Sequence, residues 1–288
     1  MSIAEDVGAW FLAHRRDLPW RRPDYGAWGI LVSEIMLQQT PVARVIPRIQ
    51  EWLERWPSPA DLAASPPGDA VRAWARLGYP RRALNLHAAA VLITERHGGE
   101  VPSDVTELLA LPGIGDYTAR AVASFAYGLR HPVVDTNVRR VLARAVAGQG
   151  EAGPPSTRRD LAAMEEILPV DPEAARLTNA AVMELGAIVC TARAPRCHEC
   201  PLADTCRWRA EGYPAYEGPR AAVQKKFEGS DRQVRGLILA ELRASEIPVT
   251  AREIESIWPD AAQRDRALRG LLADGLVVAV ADGFELPQ

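Results

Sequence analysis

The four cysteines of this 288-residue chain all fall within residues 190–206, and this clustering constrains the fold more than any other feature. Their spacing is C-x6-C-x2-C-x5-C. A disulfide framework normally distributes cysteines along a chain, whereas neighbouring thiolates suit a single inorganic centre. Two kinds of centre fit four thiolates: a tetrahedral zinc ion and an iron–sulfur cluster. The sequence therefore predicts a compact metal-binding loop.

The rest of the composition is that of a globular chain. Hydrophobic residues make up 48% and charged residues 25%, and the length predicts about two domains. No apolar run approaches the ~18–20 residues of a membrane span, and the N-terminus has no basic region followed by an apolar stretch. A cytoplasmic location, without membrane partners, is therefore expected. The net charge of −3 means that any DNA-binding surface must be local.

Hydrophobic periodicity predicts helices almost throughout residues 1–210. Apolar residues follow at spacings of three and four from Val42 to Trp56, and Thr40 is expected to cap this helix. Asp171-Pro172 predicts the start of a helix that runs to about Ala187. Glycine, proline and charge over residues 211–230 predict a linker.

Residues 231–288, here called the C-terminal module, differ from the rest of the chain. Their pattern predicts a helix capped by Asp231, a short helix capped by Thr250 and a third helix over Ala261–Asp274. It also predicts a hairpin with strands at 276–280 and 284–286 and an Asp282-Gly283 turn. Two interpretations fit: a winged-helix-like module and a small helical packing domain. Residues 228–288 contain seven Lys and Arg against eleven Asp and Glu, which argues against a strong phosphate-binding wing.

A Leu-Pro-Gly-Ile-Gly-Asp-Tyr-Thr-Ala-Arg segment at 111–120 predicts a tight hairpin between helices. Gly113 and Gly115 allow positive φ and close backbone approach. A helix starts near Asp116, where free N–H groups can hold a phosphate. The pattern favours a helix-hairpin-helix that clamps the DNA backbone, and the alternative is an ordinary turn.

Two carboxyl groups stand out by their surroundings. Glu34 lies among apolar residues in 30–37, and because burial raises the pKa of a carboxyl group, we expect it to hold a proton near neutral pH. Its alternative is an exposed helical Glu. Asp135 follows two valines at the start of a helical stripe, where its commonest role is that of an N-cap.

Four segments occur in order: Ser33 to Thr40 (Ser-Glu-Ile-Met-Leu-Gln-Gln-Thr), the hairpin, Val134 to Arg140, and the four-cysteine loop. Together they resemble the MutY adenine DNA glycosylases of the endonuclease III superfamily, over residues 8–210. The resemblance implies a mainly α, two-lobed helix-hairpin-helix glycosylase fold with DNA between the lobes. The implied lobes are a six-helix barrel at 21–129 and a cluster lobe formed by 1–20 and 130–210. It also implies a [4Fe–4S] cluster on Cys190, Cys197, Cys200 and Cys206.

The resemblance implies a monomeric enzyme that hydrolyses the N-glycosidic bond of adenine opposite 8-oxoguanine or guanine in double-stranded DNA. The residue chemistry is compatible, since two carboxyls in different environments suit an oxocarbenium-like transition state. Protonated Glu34 would act as general acid on an adenine ring nitrogen, and ionised Asp135 would stabilise the sugar cation or attack it transiently. Such an enzyme would be associated with the chromosome when bound to DNA.

Other site residues follow from the resemblance by position. Tyr117 would support the carboxylates, Asn137 would help to hold the sugar, Glu184 would read the adenine edge and Arg21 would line the base pocket. The residues implied to lie against the opposing purine and its neighbours are Gln39, Thr40, Leu77 and Tyr79. Alternatives remain for three of these residues: an exposed helical Glu for Glu184, and core packing for Leu77 and Tyr79.

The position of Tyr117 bears on strand cleavage. Endonuclease III has a Schiff-base lysine at this hairpin position, whereas this chain has Tyr, and its only lysines are Lys225 and Lys226. A Schiff-base mechanism needs an amine nucleophile. A monofunctional glycosylase is therefore expected.

Two alternative functions remain open. One is a mismatch glycosylase of other specificity, such as one acting on thymine in G·T; relatives of that kind lack the residue equivalent to Glu34. The other is a non-enzymatic iron–sulfur regulator that binds DNA, which would need neither Glu34 nor Asp135. The C-terminal module is also too short for the MutT-like domain with which many relatives check for 8-oxoguanine, so its protein partner and the preferred opposing base stay open.

Overall fold

The computed structural model describes residues 2–219 and 226–288, and it confirms the predicted mainly helical fold. In chain order the helices are α1 Ile3–His14, α2 Gly26–Leu37, α3 Val42–Arg55, α4 Pro59–Ala63, α5 Pro67–Trp74, α6 Arg81–His97, α7 Val105–Leu109, α8 Asp116–Tyr127, α9 Thr136–Ala145, α10 Thr157–Glu165, α11 Pro172–Ile188, α12 Arg207–Ala210, α13 Asp231–Ala244, α14 Ala251–Ile257 and α15 Ala261–Ala273. The strands are β1 Val278–Val280 and β2 Gly283–Glu285. None of the helices in the described ranges has the length and hydropathy needed to cross a bilayer.

Contacts between residues divide the chain into two units. The first unit takes the described parts of residues 1–30, 103–109 and 115–222, and the second takes 31–102, 110–114 and the described residues after 222. The sequence analysis instead placed all of 21–129 in one barrel lobe, and those lobe boundaries stay a prediction. Part of the predicted linker, including Lys225, lies outside the described residues.

The first unit is built around α11. Helices α1 and α9 pack against it, and Gly8 allows α1 to approach closely, because a Cβ there would lie 3.3 Å from the Leu177 side chain. Asp171 caps α11 through the Ala174 N–H, which confirms the predicted start of this helix. The fully buried residues of this core include Val7, Val138, Met164, Val182 and Leu185.

The second unit packs α4 and α5 against α6, with α3 against α5. Its core holds three buried tryptophans in edge-on contact: Trp52 lies 4.6 Å from Trp56 and 5.6 Å from Trp74 between ring centroids. Such edge-to-face pairs contribute about 0.5–1.5 kcal/mol beyond the area that they bury.

The C-terminal module has the predicted three helices and antiparallel hairpin. β1 pairs with β2 through Ala279 opposite Phe284, and Thr250 caps α14 in a capping box with Glu253. Strand β1 is shorter than the predicted strand 276–280, because Leu276 and Val277 pack into the core instead of extending it. The predicted Asp282-Gly283 turn is wrong by one residue: the turn is Ala281-Asp282, because Gly283 begins β2 and pairs with Val280.

Two predicted helix caps are wrong. Pro41 occupies the N-cap of α3, while the Thr40 hydroxyl donates to the Leu77 carbonyl oxygen at 3.1 Å. Ser230, and not Asp231, is the N-cap of α13. In the case of Thr40, a tertiary hydrogen bond has taken the hydroxyl that a local cap would have used.

Candidate active site

Asp135 lies in the first unit and has the N-cap role predicted for it. As the N-cap of α9, its Oδ1 accepts the N–H of Asn137 at 2.9 Å and that of Val138 at 2.7 Å. Its Oδ2 accepts the Asn137 side-chain amide at 2.7 Å. Burial has the largest effect, and the pKa of Asp135 lies above its ordinary value although these hydrogen bonds and nearby Arg140 act to lower it. The three N–H donors hold the carboxyl in one orientation and favour its ionised form.

Asn137 is itself held by the next turn of α9 and by α11. Arg140 donates to the Asn137 Oδ1 at 2.7 Å and to the carbonyl oxygens of Gly186 and Cys190 at 2.6 and 2.7 Å. A Cβ on Gly186 would lie 2.7 Å from the Asn137 carbonyl oxygen and equally close to its Cβ. A glycine is therefore needed at position 186 for α11 to approach Asp135 and Asn137.

Glu184 is buried on α11 and is saturated with hydrogen bonds. Its side chain is 1% exposed and pairs with the Nη2 atoms of Arg16 at 2.7 Å and Arg21 at 2.9 Å. It also accepts the Arg16 backbone N–H at 3.0 Å. Burial acts to raise its pKa, but the hydrogen bonds from the two arginines outweigh this and lower the pKa to about 2. The alternative of an exposed helical Glu is therefore wrong.

Arg21 and Tyr117 also lie in the first unit. Besides Glu184, Arg21 contacts the Phe11 ring, with its guanidinium carbon 5.0 Å from the ring centroid. Tyr117, in the first turn of α8, is half-buried and places its hydroxyl 4.0 Å from the Met183 Sδ. Met183 adjoins Glu184 in the sequence, so Tyr117 lies beside the helix that carries the ion pairs.

The four cysteines line one cavity together with Arg144, Val189 and Trp208. Burial, together with the charge of the neighbouring cysteine thiolates, raises the pKa of the Cys200 thiol to about 11. Arg144 offsets part of this charge, since its Nη1 lies 3.4 Å from the Cys190 Sγ. Among the described side chains, no three His, Cys, Asp or Glu lie close enough together to hold a single metal ion. Four thiols around one cavity, with a guanidinium beside them, fit a polynuclear cationic core that draws the thiols into their ionised form.

Glu34 lies on α2 in the second unit and is only 6% exposed. Its neighbours Leu31 and Ile35 are buried in the same core. The alternative of an exposed helical charge is therefore wrong. A carboxyl in such surroundings has the environment expected of a general acid.

Two segments of the second unit contain the residues predicted to face the opposing purine. Gln39 and Tyr79 are exposed and have positive φ angles of 55° and 46°. A non-glycine residue in this region costs about 1–3 kcal/mol and persists only where the surroundings enforce it. Leu77, by contrast, is 4% exposed and belongs to the core.

Arg82 enforces both conformations. It is buried and donates from Nη1 to the carbonyl oxygens of Ile35 and Met36, at the end of α2. From Nη2 it donates to the Thr40 hydroxyl and the Gly78 carbonyl oxygen, both at 2.9 Å. Burial lowers its pKa to about 10. One guanidinium thus joins the segment after α2 to the segment before α6.

The hairpin glycines differ from each other. Gly113 has φ +76°, and a Cβ there would lie 2.6 Å from the Asn85 Cβ. Gly115 is extended, with φ −98°, so it does not use the positive φ that glycine allows. It is the N-cap of α8, makes no side-chain cap and has open space beside its α carbon. The first N–H groups of α8 are therefore left without a capping side chain, as an anion-binding helix start requires.

Sequence reasoning missed Arg16, Arg82 and Arg140. Each is one arginine in a chain that uses arginine for almost all its positive charge, so residue type gave no signal. Their positions offered only a weak one: Arg82 follows Tyr79 by three residues and Arg140 follows Asn137 by three.

The sequence is similar to those of known DNA repair proteins. The profile of the HhH-GPD superfamily of base excision DNA repair proteins matches residues 32–166, and that of the iron–sulfur binding domain of endonuclease III matches 190–206. An adenine DNA glycosylase of Mycobacterium tuberculosis is 55% identical over 281 residues, covering 97% of this chain and 91% of the relative.

Solved structures show the same fold. A thermostable thymine-DNA glycosylase matches with a TM-score of 0.66 at 26% identity, over 72% of this chain and 95% of that one. A non-covalent endonuclease III–DNA complex matches with a TM-score of 0.62 at 26% identity, over 73% of this chain and 94% of that one.

Proposed function

Because the chain belongs to the adenine DNA glycosylases, we propose that it removes adenine opposite 8-oxoguanine or guanine and leaves the DNA strand intact. It is a base excision repair glycosylase with a helix-hairpin-helix fold and a [4Fe–4S] cluster, and its partner is DNA. The choice of mismatch, the monofunctional reaction, the monomeric state and the cytoplasmic location are proposals.

The observation that supports adenine as the excised base is the burial of the Glu34 carboxyl group. The fold alone does not decide between bases, since a thymine-DNA glycosylase shares it. Adenine leaves readily only when a ring nitrogen is protonated, and a carboxyl that is 6% exposed on an apolar helix is suited to hold that proton.

The proposed reaction begins when the mispaired adenine flips out of the duplex, which costs a few kcal/mol. Glu34 donates its proton to an adenine ring nitrogen, and the C–N glycosidic bond breaks with its electron pair leaving on the base. Asp135, oriented by its three N–H donors, stabilises the positive sugar. Water adds to the anomeric carbon, and its released proton returns to Glu34.

The neighbouring residues have positioning roles in this proposal. Asn137 holds Asp135, and Tyr117 packs beside α11. Glu184 and Arg21 form one side of the base pocket, where the ion pair leaves Arg21 22% exposed for contact with adenine.

The residues proposed to face the opposing purine form two groups, one exposed to solvent and one buried. Tyr79 and Gln39 are exposed and contact the purine and its neighbours. Thr40 and Leu77 support them from the core. Gly113 and Gly115 bring the hairpin backbone to the DNA phosphates.

The iron–sulfur cluster supplies a covalent cross-link among four thiolates of the 190–206 loop. We expect the purified protein to contain about four iron atoms and four sulfides per chain. Cys200→Ala should lower both, because a ligand is lost, whereas Thr205→Ala in the same loop should leave both unchanged. Metal and sulfide analysis measures this, and stoichiometric zinc without sulfide would contradict it.

Base release from defined duplexes tests the proposed function. The central pair would be adenine opposite 8-oxoguanine, adenine opposite guanine, thymine opposite guanine, or a Watson–Crick pair. We expect strand breaks at adenine only after alkali, and no covalent adduct on borohydride treatment, because residues 1–224 contain no lysine.

Each other outcome would contradict a stated part of the proposal. Release of thymine instead of adenine would show that the excised base is thymine. Breaks without alkali would show lyase activity. No release by cluster-loaded protein that binds DNA would exclude the glycosylase reaction on these pairs.

A further inference from the structure

The segment Ala75–Tyr79, here called the 75–79 loop, has an unusual backbone. Ala75, Gly78 and Tyr79 all have positive φ angles, of 47°, 85° and 46°. Its carbonyl oxygens are held by side chains of two preceding helices, α3 and α5: Arg44 donates to that of Arg76, and the Trp74 Nε1 donates to that of Gly78 at 3.0 Å. The loop is thus kept in a conformation that its own residues disfavour.

The C-terminal module binds the chain just before this loop. Arg72, in the last turn of α5, donates to the carbonyl oxygens of Arg243 at 2.6 Å and Ser245 at 3.1 Å. These carbonyls end α13, where the helix dipole is negative and attracts a guanidinium. The contact lies three residues before Ala75.

The module also binds the chain just after the loop. Arg81, the first residue of α6, pairs with the Asp274 Oδ1 at 3.3 Å. The other oxygen of Asp274 accepts from Arg235, so the carboxylate is held within the module while it binds Arg81. The loop is therefore flanked by one module contact on each side, and all these residues belong to the second unit.

A third contact shows that the module packs closely against the start of α5. The Gly68 N–H donates to the Pro287 carbonyl oxygen at 2.7 Å. A Cβ on Gly68 would lie 2.4 Å from that oxygen and 2.9 Å from the Leu286 Cβ, and Leu286 is 3% exposed. Only glycine at position 68 lets the module approach α5 this closely.

We propose that the C-terminal module is a positioning element for the 75–79 loop and that it sets the discrimination between 8-oxoguanine and guanine without contacting either base. This rests on the proposed function, because Tyr79 is the residue proposed to contact the opposing purine. The acidic composition of residues 228–288 agrees with a module that faces arginines of its own chain and not DNA phosphates.

The test is a double variant of the full cluster-containing protein, Arg72→Gln with Asp274→Asn, which removes a contact on each side of the loop. The matched control is Arg266→Gln with Asp231→Asn, the same two chemical changes at an ion pair inside the module. The conservative pair Arg72→Lys with Asp274→Glu should restore the wild-type behaviour. If the double variant fails to fold, Asp274→Asn alone replaces it.

Two readouts are compared. We expect hydrogen exchange at the amides of residues 76–79 to rise about tenfold in the double variant, because the loop opens more often. We expect the ratio of single-turnover rates, adenine opposite 8-oxoguanine over adenine opposite guanine, to fall about threefold or more. The control should change neither, and the melting temperature reports on general loss of fold.

The outcomes separate this inference from the proposed function. Unchanged exchange in the double variant would overturn the positioning role, and raised exchange with an unchanged rate ratio would overturn the role in discrimination. If the wild-type protein releases no adenine, the proposed function and the role in discrimination fail together, while the exchange measurement still decides the positioning role.

Discussion

Replacing Glu34 by Gln is expected to lower the single-turnover rate of adenine release by about 10²–10⁴-fold, the usual contribution of a general acid. Gln has nearly the shape of a protonated Glu and can still hydrogen-bond, but it cannot transfer a proton. Because the side chain is buried and the substitution removes no volume, the fold and DNA binding should persist. Rates are measured on adenine opposite 8-oxoguanine with enzyme in excess.

Glu54→Gln is the matched control, since Glu54 is an exposed glutamate of the same unit. It should leave the rate unchanged. A rate for Glu34→Gln close to that of the control would contradict the acid role and favour a function that does not use this carboxyl.

Replacing Glu184 by Gln is expected to lower the free energy of unfolding at pH 7 by roughly 3 kcal/mol. The pKa of this carboxyl falls from 4.5 to about 2 on folding. A lowered folded-state pKa contributes stability that is fully present above pH 4.5 and is lost as the pH falls through about 2. The stability difference between wild type and variant should therefore narrow across that range. Urea denaturation at several pH values measures it.

Glu173→Gln is the control on the same helix. Glu173 pairs with Arg176 at the surface, where an ion pair contributes little, and should cost about 0.5 kcal/mol or less. Equal stability of the two variants would contradict a structural role for Glu184. If Glu184 also reads adenine, its variant should lose excision activity under conditions in which it remains folded.

Local signals in the sequence were sufficient for much of the fold. Asp171-Pro172 marks a helix start because the cap is formed within four residues. The Asp282-Gly283 pattern indicated the hairpin for the same local reason, although the turn itself lies one residue earlier, at Ala281-Asp282. The two carboxyls were identified from apolar neighbours and cap position, and their burial and hydrogen bonds agree with both signals. The spacing of the four cysteines was enough to predict that they share one metal-binding loop.

Tertiary partners account for what sequence reasoning did not predict. Thr40 lost its predicted cap role to Leu77, which lies 37 residues away. The sequence around Arg82 resembles that of a surface arginine, and its role depends on carbonyl oxygens that the end of α2 and the 75–79 loop supply. The hydrogen bonds that Glu184 accepts depend on Arg16, which lies 168 residues earlier, so no pattern within one helix could indicate that pair.

That long separation has a consequence for synthesis. α1 buries its apolar face on α11, so it must wait until α11 has been made. At roughly 5–20 residues per second, the ribosome takes about 10–30 s to cover the distance from Arg16 to Glu184. Closing so long a segment also slows folding. During this interval Val7 and Phe11 lack the α11 part of their core, so the nascent chain exposes apolar surface that the finished protein buries.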